Sequence, residues 1–144
     1  MEKYRYSNHT VTRLTVHLVW VTKYCYQVLT GDIQKHCREL LIQICDTDAA
    51  VRILNGVISK NHVQMHVEYP ASKSISNLVK LLKRRSFRIL QTEYTELCNR
   101  YWGKHFWAIG YGARSTGNIT EKVVQEYLKH HKTSANDQNN FIIE

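Results

Sequence analysis

Two short segments hold the residues best suited to chemistry. Asn61-His62-Val63-Gln64-Met65-His66-Val67 alternates polar and apolar residues. That is the period of a half-covered strand, and it places His62, Gln64 and His66 on one face with Glu68 beyond them. Tyr127-Leu128-Lys129-His130-His131 reads as helix, where Tyr127 and His131 lie one turn apart on the same side. Imidazoles and an amide can ligate a metal, and a phenol can act as nucleophile. Together they equip a protein to break a phosphodiester bond. Residues two apart on a strand have Cα atoms about 7 Å apart, so His62 with Gln64, or Gln64 with His66, can converge on one ion. His62 and His66, about 13 Å apart by the same spacing, do not share one. A third ligand comes from elsewhere, and His131 could reach the same ion. The phenol, with a reference pKa of about 10, is a weak nucleophile unaided. A cation beside it polarises the phosphate and orients the attack.

The elements that must position these groups follow from hydrophobic periodicity. Residues 14–21 alternate with both faces partly apolar, as in a well-covered strand. Residues 32–47 place Ile33, Cys37, Leu40, Leu41, Ile44 and Cys45 at helical spacing. Residues 51–59 and 62–69 read as strands joined by a turn at Lys60-Asn61, and Pro70, the only proline, ends the second of them. Residues 74–93 form a helix with an apolar stripe of Ile75, Leu78, Val79, Leu82, Ile89 and Leu90. A fourth strand is expected within 102–111, followed by a small-residue loop over 110–117. A last helix is expected from about Asn118, where Glu121 three residues on completes a capping box, to about Lys132. The order β-α-β-β-α-β-α predicts an α+β fold, a ferredoxin-like sandwich of an antiparallel sheet and two helices, with an additional C-terminal helix. Residues 1–132 are expected to form a single domain and 133–144 a polar C-terminal tail.

Composition agrees with a globular chain. Of 144 residues, 43% are apolar, enough for a core in one domain. No run of about 18 apolar residues occurs, so no membrane span is expected. The polar first ten residues lack a signal-peptide core, which predicts cytoplasmic residence. Cys25, Cys37, Cys45 and Cys98 form no C-x-x-C pair, so they are expected to be reduced packing residues. Twenty Lys and Arg against twelve Asp and Glu give a formal charge of +8, which suggests a polyanionic partner. The candidate surface is the helix 74–93. Lys80, Arg84 and Arg88 lie at i, i+4 and i+8, with Lys83 and Phe87 beside them, suited to phosphate contacts and to stacking on a base. Like charges at that spacing weaken an isolated helix slightly, so a partner accounts for them better than solvent does. Arg85 lies nearer the apolar stripe.

From about Thr12 to His131 the chain resembles the single-tyrosine HUH transposases of bacterial and archaeal insertion sequences. His17-Leu18-Val19-Trp20-Val21-Thr22-Lys23-Tyr24 is similar to that family's first strand and basic turn. Asn61 to Pro70 resembles its Asp-His-x-His strand ending in proline, residues 102–117 its fourth strand and glycine-rich loop, and Val123 to Leu128 its catalytic helix. The resemblance implies a homodimer acting on single-stranded DNA at hairpin-bearing element ends. It implies a divalent ion, magnesium or manganese, and a 5′-phosphotyrosine intermediate with a free 3′-OH. Carried over, Tyr127 is the nucleophile and His62 the first ligand. The chain departs from the family twice: Gln64 stands at the second histidine, and His131 stands at the glutamine one turn after the tyrosine. The family's His, His, Gln set becomes His62, Gln64, His131, a compensating exchange, while His66 falls where the family has an apolar residue. The alternatives are a catalytically weakened DNA-hairpin-binding relative and an RNA-binding ferredoxin-like module. Such a module would place aromatics on the open sheet face, where this strand places His, Gln, His and Glu.

Overall fold

The computed structural model describes residues 4–47, 50–115 and 128–129. A short hairpin comes first, β1 (Arg5–Ser7) and β2 (Thr10–Thr12), in which Ser7 pairs with Thr10 across Asn8-His9. His9 takes a left-handed φ of 59° there, a conformation that polar turn residues tolerate better than apolar ones. Then follow β3 (Leu14–Val21), α1 (Gly31–Thr47), β4 (Arg52–Ile58), β5 (His62–Tyr69), α2 (Ile75–Glu93), α3 (Thr95–Arg100) and β6 (Gly112–Arg114). A one-turn 3-10 helix, Lys23–Cys25, follows β3.

The main sheet has the order β4-β5-β3-β6, antiparallel throughout. This is the ferredoxin-like α+β arrangement expected. Alternation along β5 sends Val63, Met65 and Val67 to the helix side, where each is at most 4% exposed. Val16, Leu18 and Trp20 of β3 point the same way. They meet the apolar stripes of both helices, among them Ile33, Leu40 and Ile44 from α1 and Leu78, Leu82 and Leu90 from α2. Each such side chain contributes about 1.5–3 kcal/mol on leaving water, and together they fix which face of β5 is left for chemistry. Cys37 and Cys45 pack here too, and burial pushes both thiols up to about 12, so they stay protonated and inert. Ser74 caps α2, its Oγ accepting from Asn77 N at 3.0 Å.

Two expectations need correction. The strand expected within 102–111 is present there only as a bridge between Thr22 and Trp107, and the regular strand β6 lies in the segment expected as loop. Lys23 N donates to Phe106 O and Ala108 N donates to Val21 O. The ladder then breaks at Gly110, whose φ of 93° suits glycine alone. It resumes with Gly112 opposite Val19 and Arg114 opposite His17. The polar N-terminus, to which the sequence assigned no element, forms the hairpin β1-β2. The last expected helix lies outside the described residues apart from Leu128, which is buried, and Lys129, which is exposed.

Candidate active site

The four polar side chains of β5 meet four different environments. His62 is buried at 8% exposure, and its Nδ1 donates to Asn61 Oδ1 at 2.9 Å. An amide oxygen can only accept, so this bond puts the ring proton on Nδ1 and the lone pair on Nε2, the arrangement seen in metal-binding imidazoles. Asn61 is itself held, because Thr22 N donates to its carbonyl at 2.9 Å, while the Thr22 hydroxyl donates to Tyr26 O at 2.7 Å and lies 3.2 Å from the same Asn61 carbonyl. Gln64 lies next on the same face, half-buried, between Val19 of β3 and Val57 of β4. Gly56 permits this close approach: a Cβ there would sit 3.2 Å from Gln64 O.

Farther along, His66 stacks on His17 of β3, with ring centroids 3.9 Å apart and planes 12° from parallel. Burial first, then His17 and Arg13, pulls the His66 pKa down. Glu68 was expected on an open face, but it is 1% exposed. The N-terminal hairpin reaches over it: Arg5 Nε and Nη2 donate to its two oxygens at 2.9 and 2.8 Å, and Arg52 lies 3.5 Å away. The Arg5 hydrogen bonds hold the Glu68 carboxyl below the usual carboxylate range against the opposing effect of burial.

The structure therefore brings His62 and Gln64 together on one face and gives His66 a separate environment. Among the described residues, no group of three His, Cys, Asp or Glu is placed to hold a metal. Tyr127 and His131 lie outside the described residues. The donors at hand, one imidazole nitrogen and one amide oxygen, fit a divalent cation as a partial set.

On α2, Lys80, Arg84 and Arg88 are exposed, as a phosphate-binding face requires, and Arg85 is half-buried. Lys83 departs from that expectation. Its ammonium turns inward and donates to Ala108 O at 2.6 Å and Gly110 O at 3.0 Å. Burial pulls its pKa down to about 8. Phe87 already has a partner, His105, at 4.0 Å and nearly parallel. These residues border a groove of about 870 Å³ between α2 and residues 103–111, which Lys23 and Lys104 also line. Behind it, Trp107 Nε1 donates to Ser86 Oγ and Ser86 Oγ donates to Leu82 O, tying the loop to the helix. Sequence reading gave residues 103–109 a strand and no part in the site, gave His17 no role, and assigned the hairpin no element. A histidine inside the apolar run of β3, and Asn8 between two alternating segments, were the signals available.

The family described as Transposase IS200 like matches residues 10–131. The transposase for insertion sequence element IS200 of Salmonella typhimurium is 30% identical over 122 residues, covering 85% of this chain and 79% of that protein. The ISDra2 transposase TnpA of Deinococcus radiodurans is 26% identical over 119 residues, covering 83% and 84%. Among solved structures, a protein of Deinococcus radiodurans R1 assigned as a transposase superposes with a TM-score of 0.80 at 23% identity, over 89% of this chain and 97% of that one. A tyrosine transposase bound to a REP hairpin superposes with a TM-score of 0.54 at 14% identity, over 95% and 74%. At these identities the two structures speak for the fold, and the family match speaks for descent: the chain belongs to the family of IS200-like transposases.

Proposed function

We propose that the protein is a metal-dependent transposase that cuts and rejoins single-stranded DNA at hairpin-bearing element ends through a 5′-phosphotyrosine intermediate. The phenol oxygen of Tyr127 attacks the scissile phosphorus. The new P–O bond forms as the phenol gives up its proton to solvent and the P–O3′ bond breaks, and the 3′-oxygen leaves as a free hydroxyl by taking a proton from solvent. His62, Gln64 and His131 would hold a magnesium or manganese ion, whose charge would offset the charge building on the phosphate. His62 needs its Nε2 lone pair for this role, and Asn61, fixed by Thr22, secures it. Lys80, Arg84 and Arg88 hold the DNA backbone on the far side of the sheet from the cut. The protein works as a homodimer in the cytoplasm.

The observation that carries this reading is the His62–Asn61 pair beside Gln64, in a chain whose family consists of transposases. Gln64, standing where a histidine is expected, favours one rival, a relative that binds DNA hairpins and cuts poorly. Single-stranded DNA from the element's own ends, incubated with the protein and either magnesium or manganese, separates the two. A denaturing gel should show a protein–DNA adduct that disappears in Tyr127→Phe. Hairpin binding with no adduct under either metal selects the weakened relative.

A further inference from the structure

A continuous series of rings crosses the corner between the Lys23–Cys25 turn and residues 100–106. Tyr24 meets Tyr26 at 5.4 Å, Tyr26 meets Tyr101 at 5.6 Å, and Tyr101 meets Phe106 at 6.3 Å. Phe106 meets Phe87 at 6.0 Å, and Phe87 stacks on His105. The middle of the series is buried, with Tyr101 at 4% and Phe106 at 0% exposure. Its margin is not: Tyr24 is 56% exposed, and Trp102, next to Tyr101, is 90% exposed. The backbone that presents these rings is strained. Tyr24, Cys25 and Trp102 have φ of 62°, 56° and 57°, a left-handed region that bulky residues rarely adopt.

Cations accompany the rings. Lys23 Nζ lies 5.5 Å from the Tyr24 ring centre, and Arg100 lies 4.0 Å from that of Tyr26. The corner is also bonded to the strand of the candidate active site. Tyr101 Oη donates to Lys23 O at 3.1 Å. Thr22 donates to Asn61 O, and Asn61 Oδ1 accepts from His62 Nδ1. Its other end, at Phe87 and His105, adjoins the basic face of α2. A protein surface that alternates exposed rings with cations suits a polyanion that also offers flat faces. Unpaired DNA does so, whereas a duplex hides its base faces in the stack.

We propose that this corner is a stacking platform for unpaired DNA bases beside the cleavage site, with Tyr24 and Trp102 as the stacking surfaces and Lys23 and Arg100 as phosphate contacts. The inference rests on the transposase reading and adds to it a route for the strand, from the α2 face across the corner to His62.

The test uses the full chain and two fluorescein-labelled probes: an oligothymidylate of twelve nucleotides, and a blunt DNA hairpin of equal charge closed by a non-nucleotide linker, so that it has no unpaired base. Tyr24→Ala and Trp102→Ala should each weaken oligothymidylate binding about tenfold and leave hairpin binding within about twofold. Trp102 is the one exposed tryptophan of three, since Trp20 and Trp107 are 0% and 3% exposed. Oligothymidylate should therefore quench the long-wavelength tryptophan emission of the wild type. Trp102→Phe should lose that quenching and keep most of the affinity. Unchanged oligothymidylate affinity in the double variant, or an equal loss on both probes, overturns the platform. A wild type that binds neither probe and forms no adduct at Tyr127 overturns the transposase reading with it. A wild type that forms the adduct, with a double variant that binds oligothymidylate normally, overturns the platform alone.

Discussion

The two ends of β5 present the same kind of residue on the same face with opposite results. At the start, His62 is oriented by a neighbour in its own turn, and its lone pair stays on the nitrogen a cation would use. At the end, Glu68 is a stronger ligand type than any of the others, yet both its oxygens are taken by Arg5. Between them, His66 presents its ring face to His17. The alternation that puts polar groups on one side of a strand decides only which side they occupy. Whether such a group can do chemistry is decided by the partner that its side chain meets: a fixed amide at one end of β5, a guanidinium from a separate hairpin at the other.

The largest effect expected from this contrast is catalytic. His62→Ala should lower adduct formation about a hundredfold or more, and Asn61→Ala, which removes only the orienting bond, about tenfold. His66→Leu, which restores an apolar residue beside His17, should leave the adduct yield within about twofold. Both His62→Ala and His66→Leu should melt within a few degrees of the wild type. A His66→Leu variant as damaged as His62→Ala would erase the distinction drawn between the two ends and move the metal along the strand.

Next in size is a stability effect confined to the other end. Arg5→Ala leaves the Glu68 carboxylate buried without its two hydrogen bonds, with Arg52 at 3.5 Å and the charge of Arg13 still acting on it. Glu68 is buried but the Arg5 side chain is 29% exposed, so removing Arg5 should cost about 1–3 kcal/mol, less than for a fully buried pair, measurable by urea unfolding. The pair also fixes a pH dependence. Glu68 has a lower pKa folded than unfolded, so its contribution is fully present above the unfolded value near 4.5 and is lost as pH falls through the lower folded value. Wild type should therefore lose stability in acid more steeply than Arg5→Ala. Equal slopes would mean that the hairpin is not what holds that carboxylate ionised.

Much of this was legible locally. Strand β5 runs from His62 to Tyr69 as its alternation and Pro70 require, β3 follows its apolar run, and α2 begins where Ser74 can cap it. What escaped sequence reading depends on distant partners. Glu68 is neutralised by a residue 63 positions away, and nothing near Glu68 announces it. The same holds for the broken fourth strand, whose ladder skips Ile109 to Tyr111 because Gly110 turns the chain and Lys83 occupies the carbonyls of Ala108 and Gly110. The two residues proposed to complete the ligand set, Gln64 and His131, are divided in the same way: Gln64 has a described environment, and His131 lies outside the described residues.

The smallest expected effect carries the contrast over to α2. Lys83 and Arg84 are adjacent and both basic, and either could be drawn as a phosphate contact. Arg84 is exposed, whereas Lys83 spends its ammonium on two carbonyls. Each phosphate contact removed from a single-strand complex should flatten the dependence of log affinity on log salt by about 0.7. Arg84→Ala should therefore flatten the slope by about that much and leave the melting temperature unchanged. Lys83→Met should leave the slope as it is and destabilise the fold by about 2 kcal/mol, because two half-buried carbonyls lose their donor. If Lys83→Met instead flattened the slope without loss of stability, the lysine would be facing DNA in solution, and the loop over 103–111 would need another anchor.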